Sequence, residues 1–478
     1  MILKFTRENK SAEYQQYNRS RVFVGLLLLA ILQGCSYFSA TEKPPQSIDI
    51  PEQWAAADKD QEQQPTKPWS EEFSDPELNT LIEEAYKQSP SIQALIASVR
   101  VAEEQTYISG SVLLPQVDAG INGNRSQRTS AAGFSLSSPR STTIGFSLGF
   151  LWEVDLWYKL GNELEATAHD HAAAESNLQA AKLSLAANIT KTWIDGIVAG
   201  QQVDLVRKTI TSFKSALDII EQGYTRGLSK AVDVRLARTS WLNARGREQG
   251  FLRQRDAAAR MLEFSLGRYP GGSFVFSEQL PAMRETLPVS IPSSLLERRP
   301  DVIAAIERFF ASDQRMLKAR KNMLPTIQFS GSGGTGARNF SDIFNPEFLI
   351  WNIAGNLAQP LFQGGRLFAE RSQAEARVRQ AAADYALVML QAFREVETSM
   401  AAERWLSKQE MLLASEVMES KEAEKLAETD YISGLADITV LLEAQRRAFN
   451  SETNLIDIRK QRLQNRVDLY LALGGPVL

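Results

Sequence analysis

The chain of 478 residues is 44% hydrophobic and 23% charged, the balance of a folded protein, which excludes disordered and collagen-like chains. Lysine and arginine total 53 against 57 acids, a formal charge of -4, so no basic surface for nucleic acid is expected. Past residue 32 no apolar run reaches the ~18 residues of a membrane helix, which excludes a polytopic helical membrane protein but not a β-barrel, whose strands alternate.

At the N-terminus, Arg19 and Arg21 precede an apolar stretch from Val22 to Leu32, the length of a signal-peptide core and too short to span a bilayer. It ends in Leu32-Gln33-Gly34-Cys35. A small residue before a cysteine at this place is similar to a bacterial lipoprotein processing site, where the peptide is cut ahead of the cysteine and acyl chains such as palmitate are attached. Residues 1–34 are therefore expected to be a signal peptide and Cys35 the lipidation site, the alternative being an ordinary buried thiol. Ser36, rather than aspartate, suits an outer membrane destination. Residues 35–68, with Pro44, Pro45, Pro51, Pro65 and Pro68, read as a lipidated extended tether.

Proline costs ~3 kcal/mol inside a helix. All 18 prolines fall outside two windows, residues 140–269 and 361–475, both rich in helix-forming residues. In chain order, residues 69–267 are expected to hold a helix over 76–112, strands over 113–128 and 140–157, and helices over 162–223 and 229–267. A segment at 268–297 carries Pro270, Pro281, Pro288 and Pro292. Residues 298–478 are expected to hold a helix over 300–322, strands over 324–338 and 347–362, and helices over 366–431 and 437–473. The two longest helices would be rods of ~90 to 100 Å at ~1.5 Å per residue. Leu178, Leu185, Ile189, Trp193 and Ile197 predict a narrow apolar seam on the first rod.

The strand signals have period two. Val117, Ala119 and Ile121 alternate with Asp118, Gly120 and Asn122, and Ile144, Phe146, Leu148, Phe150 and Trp152 alternate with smaller or polar residues. Ile327 with Phe329, and Trp351 with Ile353 and Leu357, repeat the pattern. The serine, asparagine and glycine on the other face favour a membrane barrel over a half-buried soluble sheet.

The halves are copies of one unit. Pro90 and Pro300, like Leu114-Pro115 and Leu324-Pro325, lie 210 residues apart. Tyr224 and Tyr431, Gly227 and Gly434, Ala237 and Ala444, and Leu266-Gly267 and Leu473-Gly474 lie 207 apart. Four strands cannot close a barrel and lipid tolerates no open edge, so the chain is expected to oligomerise; eight strands from two copies and twelve from three are both allowed. The loops Thr129 to Arg140 and Asn339 to Glu347 would face outward, and the long helices would run into the periplasm.

Five segments carry a family resemblance: Trp69 to Leu95 (WSEEFSDPELNTLIEEAYKQSPSIQAL), WEVDLWYKLGNEL from Trp152, PSSLLERRPDVIAAIE from Pro292, LAQPLFQGGRL from Leu357 and YISGLADITVLLEAQR from Tyr431. Across nearly the whole mature chain they resemble the TolC-like outer membrane factors, and within them the efflux lipoproteins associated with resistance-nodulation-division pumps. Ser70 and Tyr158 depart from the family pattern, which commonly has tryptophan and glycine there. The resemblance implies a mixed α/β membrane protein: a homotrimer with a twelve-stranded outer membrane β-barrel, four strands per chain, continuous with a long periplasmic α-helical barrel. Residues 268–297 would help build an equatorial belt. It implies a passive conduit carrying small molecules from an inner membrane pump and a periplasmic adaptor to the exterior, with the Gram-negative outer membrane as location.

In relatives the helix-to-helix turns meet the adaptor, which places that contact here on Gly227, Leu228, Gly434 and Leu435. Glu443 occupies the place of a gate carboxylate, three copies of which would form an acidic, cation-attracting ring. Asp233 and Asp437 lie close by, while Val440 stands where some relatives have a further acid.

No enzyme and no cofactor are expected. The Gly331–Gly336 run lies in a strand and lacks the Gly-Lys-Ser/Thr of a phosphate loop. His169-Asp170-His171 reads as exposed helix surface, since two histidines and one cysteine offer too few metal ligands. Glu153 and Asp155 are expected to face the lumen. The alternatives are an outlet for type I protein secretion, built on the same duct, and a lipoprotein enzyme with a helical stalk, against which the duplicated strand pairs argue.

Overall fold

A computed structural model describes residues 51–56, 73, 75–127, 140–283 and 298–475. The signal peptide, Cys35, most of the tether, the Thr129 to Arg140 loop short of Arg140 itself, and 284–297 lie outside the described residues. The chain divides into two compact units.

The first unit takes its described residues from Ala102–His171 and Glu307–Ala383. Its centre is an antiparallel sheet of β1 (Gln116–Gln127), β2 (Arg140–Val154), β3 (Thr326–Thr335) and β4 (Leu349–Ala358), in that order. Pairing runs from Gln116 opposite Leu151 to Gln127 opposite Arg140, from Ser147 opposite Gly334 to Val154 opposite Ile327, and from Thr326 opposite Ala358 to Thr335 opposite Leu349. Two 3-10 turns, Phe340–Asp342 and Pro346–Phe348, link β3 to β4. Among the described residues the outer strands β1 and β4 have no partner on their far edges. Every residue of β4 is exposed, Ile350, Trp351, Ile353 and Leu357 among them, and β1 exposes Val117 and Ile121. Unpaired backbone along an edge and apolar side chains on a face both call for covering.

Indole groups tie the strand ends to the Leu-Pro pairs. Trp152 Nε1 donates to the Leu113 carbonyl at 3.0 Å and Trp157 Nε1 to the Pro325 carbonyl at 2.6 Å. Asp155 accepts from the backbone N–H groups of Lys159, at 2.5 Å, and Gly161, at 2.7 Å. It thereby satisfies orphan donors at the start of α3 (Lys159–Thr225), which begins three residues ahead of the expected position. Glu153 pairs with Lys159 at 2.5 Å, so both acids belong to the strand-to-helix junction.

The second unit is helical and takes its described residues from Gln46–Val101, Ala172–Ile306 and Asp384–Leu478. The single helix expected over 76–112 is two, α1 (Pro76–Gln88) and α2 (Pro90–Ser111). Pro90 clashes with a helical residue before it, and Ser89 sits in the extended region at ψ 122. Asp75 starts α1, its carboxylate accepting from the N–H groups of Glu77 and Leu78. The remaining helices are α4 (Ala231–Ser265), α5 (Pro300–Lys321), α6 (Arg366–Ile432) and α7 (Ile438–Ala472).

The main core joins Leu78, Ile82 and Ala85 to Ile189, Trp193, Ile194, Ile197, Leu262, Leu266, Phe276 and Val467. The narrow seam expected on α3 is too narrow: Ala186, Ala187, Thr190, Ile194 and Val198 are buried beside Ile189, Trp193 and Ile197, while Leu178 and Leu185 are half-buried. Alanines let neighbouring helices close over a wider face. The 51–56 segment docks here too. Trp54 packs on Val396, Met400 and Leu469, and the Ala55 and Ala56 N–H groups donate to Glu397 at 2.7 and 2.8 Å.

Candidate functional site

Two chain reversals stand out in the helical unit. α3 turns into α4 through Gly227, and α6 into α7 through Gly434, with φ of 75 and 74. An L-residue with a side chain meets its own carbonyl there; glycine does not. Both turns close helix C-termini with the same pair of bonds. Leu228 N–H donates to the Gly223 carbonyl at 2.8 Å and Gly227 N–H to that of Tyr224 at 3.0 Å. Leu435 N–H donates to the Asp430 carbonyl at 2.8 Å and Gly434 N–H to that of Tyr431 at 3.1 Å. Leu228 and Leu435 are left 81% and 80% exposed. Behind them Leu217, Ile220, Ala237, Ala427, Ile438, Leu441 and Leu442 form one small core, so the two turns share a rigid base.

Asp233 and Asp437 both cap helices. Asp233 accepts from the Lys230 N–H at 3.0 Å, and Asp437 from the Thr439 N–H and hydroxyl, each at 3.0 Å. The Thr439 bonds, backbone first, and the nearby Lys230 charge hold the Asp437 carboxyl below its usual range.

Glu443 lies one turn along α7. It is not the bare carboxylate the sequence suggests. Arg446 Nε donates to it at 3.0 Å and Arg447 Nε at 2.9 Å, and these bonds, Arg447's first, hold it below the usual carboxylate range. The i+3 and i+4 spacing of the arginines is the sequence signal that would have found them.

Behind these turns, in the main body of the unit, Arg466, fully buried, and Arg462 share Glu403, at 3.2 and 2.9 Å; Arg462 and Arg459 both reach Glu410 at 3.0 Å. Arg299, 7% exposed, bonds Asp301, Glu395 and the Ala472 carbonyl. Glu263 accepts from the N–H groups of Gly272, Ser273 and Phe274, led by Gly272, which keeps its carboxyl charged and pins the start of the 268–297 segment.

The His169-Asp170-His171 run is not open surface. His169 Nδ1 lies 2.6 Å from Glu307, and Asp170 pairs with Arg315, so the run joins α3 to α5. Among the described residues no group of three His, Cys, Asp or Glu could hold a metal ion. The Gly331–Thr335 stretch is paired strand, as expected. No helix among the described residues is long and apolar enough to cross a membrane.

A duplicated unit of strand pair and long helical hairpin, with an open sheet and turns of matched geometry, defines a wall-forming channel subunit. The outer membrane efflux protein model matches residues 81–268 and again 291–475, once per repeat. The outer membrane protein OprJ of Pseudomonas aeruginosa is 31% identical over 466 residues, covering 95% of each chain. The pyoverdine export outer membrane protein OpmQ of Pseudomonas putida is 27% identical, covering 94% of this chain and 97% of that one. A solved membrane protein from Pseudomonas aeruginosa superposes with a TM-score of 0.84 at 29% identity, over 91% of this chain and 99% of that one.

The chain belongs to the outer membrane efflux protein family. It has the TolC-like channel fold with four strands per chain and an internal two-fold repeat, and it is an outer membrane efflux channel.

Proposed function

We propose that three copies close their sheets into one twelve-stranded barrel and act as the exit duct of a tripartite efflux system, with an inner membrane pump supplying the energy and a periplasmic adaptor seated on the turns. The observation that carries the reading is the sheet itself: among the described residues its two outer strands lack a neighbour on their far edges, where backbone groups call for a further strand, and they expose apolar side chains suited to lipid. Twelve is an even, allowed number for a membrane barrel. Gly227, Leu228, Gly434 and Leu435 are the adaptor contacts: the glycines set the reversal and the leucines offer rigidly based apolar surface. Cys35, acylated, holds the chain to membrane lipid. A duct of this kind makes and breaks no bonds.

Glu443 is the gate carboxylate, with one change to the expected ring. Three copies bring six arginines beside three carboxylates, so each carboxylate is held by two guanidinium groups and the ring offers no bare negative charge. Small molecules are the cargo, in line with the OpmQ relative named for pyoverdine export. Deletion of the gene tests this. Loss of tolerance to small toxic compounds, restored by the full chain, is the expected result; unchanged tolerance with loss of a secreted protein would assign the duct to secretion.

A further inference from the structure

The two turns occupy equivalent places in the repeat, so what differs between them is not needed to turn the chain. Residues 223–230 read Gly-Tyr-Thr-Arg-Gly-Leu-Ser-Lys and residues 430–437 read Asp-Tyr-Ile-Ser-Gly-Leu-Ala-Asp. The tyrosine, glycine and leucine that build and present the turn are shared. The first turn carries Arg226 and Lys230 and no acid; the second carries Asp430 and Asp437 and no base. All four are exposed. Lys230 acts electrostatically on Asp437, and Asp437 is committed to capping α7. The Arg226 guanidinium and the Asp430 carboxylate make no hydrogen bond or ion pair among the described residues, so they set the sign of each turn.

We propose that the turns are two docking seats of opposite charge, and that the adaptor surface on Leu228 offers acidic side chains to Arg226 while the surface on Leu435 offers basic ones to Asp430. The proposal rests on the adaptor reading above. Apolar contact with the leucines is the same at both seats, with exposures of 81% and 80%, and cannot tell them apart. Charge can, because a hairpin in the wrong seat brings like charges together at a rim that is open to solvent but close to the contact. Since both turns stand on one core, the seats are fixed relative to each other and a partner must satisfy them in order.

Photo-crosslinking of the full chain in cells tests this. Benzoylphenylalanine is placed at Thr225 or at Ile432, exposed residues at equivalent positions. Wild-type turns are expected to trap the adaptor at both positions, through a peptide rich in Asp and Glu at Thr225 and in Lys and Arg at Ile432. Arg226→Glu should cut the yield at Thr225 by about tenfold and leave Ile432 within about twofold; Asp430→Lys should do the reverse. The unaltered turn in each variant is the internal control for folding, and Arg226→Gln should give a smaller loss at Thr225 alone. Crosslinks at both turns that ignore every charge change would overturn the two-seat proposal and leave the adaptor reading standing, and so would equal losses at both turns. No periplasmic protein trapped at either wild-type turn would overturn both.

Discussion

The first repeat and the second match helix for helix but not strand for strand. α2 and α5 have 22 residues each, α3 and α6 have 67 each, and α4 and α7 have 35 each. β1 and β2 have 12 and 15 residues, whereas β3 and β4 have 10 each. The difference separates what is constrained from what is not. Two helical hairpins that share a core under their turns must reach it with the same number of residues, and one extra residue would rotate a helix by ~100° and carry its apolar face off the neighbour. Strands ending in loops have no such limit. The junctions differ in kind as well. Tyr158 before α3 stands at φ 59, the position held in the second repeat by Gly365 at φ 84. Tyr158 is kept there by a 2.7 Å bond from its hydroxyl to Glu165 and by the Lys321 ammonium 5.5 Å over its ring.

Substitutions in matched pairs break or sharpen this comparison. The largest effect is expected from Leu228→Asp with Leu435→Asp, which should reduce drug tolerance to that of the deletion strain while trimer levels hold. Each single change should cost less, and the two about equally if the seats share their apolar contact. Next come the buried counterparts Trp193, fully enclosed, and Met400, 3% exposed. Trp193→Ala should lower stability by roughly 3–5 kcal/mol and Met400→Ala by roughly 2–5 kcal/mol, read from thermal unfolding in detergent. At the junctions, Gly365→Ala should cost about 1–2 kcal/mol, because at φ 84 the new Cβ crowds its own carbonyl even though the space around it is open. Tyr158→Phe should cost about 0.5–1.5 kcal/mol for the lost hydroxyl bond.

The smallest effect is on ion preference. With Glu443 held below the ordinary carboxyl value of 4.5 by Arg447 and Arg446, its ion pairs form above that range and are lost only as pH falls through the lowered value. Reversal potentials in planar bilayers should therefore stay constant from neutral pH down to about 4.5 and move toward anions in stronger acid. Glu443→Gln should give the acid behaviour at neutral pH. A variant with unchanged ion preference would remove Glu443 from the gate.

Much of this was legible in the sequence because the signals are local or periodic. Proline-free windows marked the rods, period-two alternation marked the strands, and equal offsets such as Tyr224 to Tyr431 exposed the duplication. Gly227 and Gly434 could be placed at reversals because few other residues accept positive φ. The break at Ser89 was signalled by Pro90 but masked by the helical pattern on either side. What was not legible is mostly long-range pairing. His169 meets Glu307 across 138 residues, and Ala55 meets Glu397 across 342. Nothing at either partner's own position announces the other. The wide buried face of α3 was hidden for another reason: alanine is read as neutral until the structure shows how close the neighbours come.

The central claim is that one chain is a third of a sealed wall. Mass measurement by light scattering on the purified, detergent-solubilised chain, unheated and heated, tests it most directly. The account predicts a protein mass near three times the chain mass, which is 53.2 kDa for the full sequence, collapsing to a single chain on heating. A stable monomer in the unheated sample would contradict it.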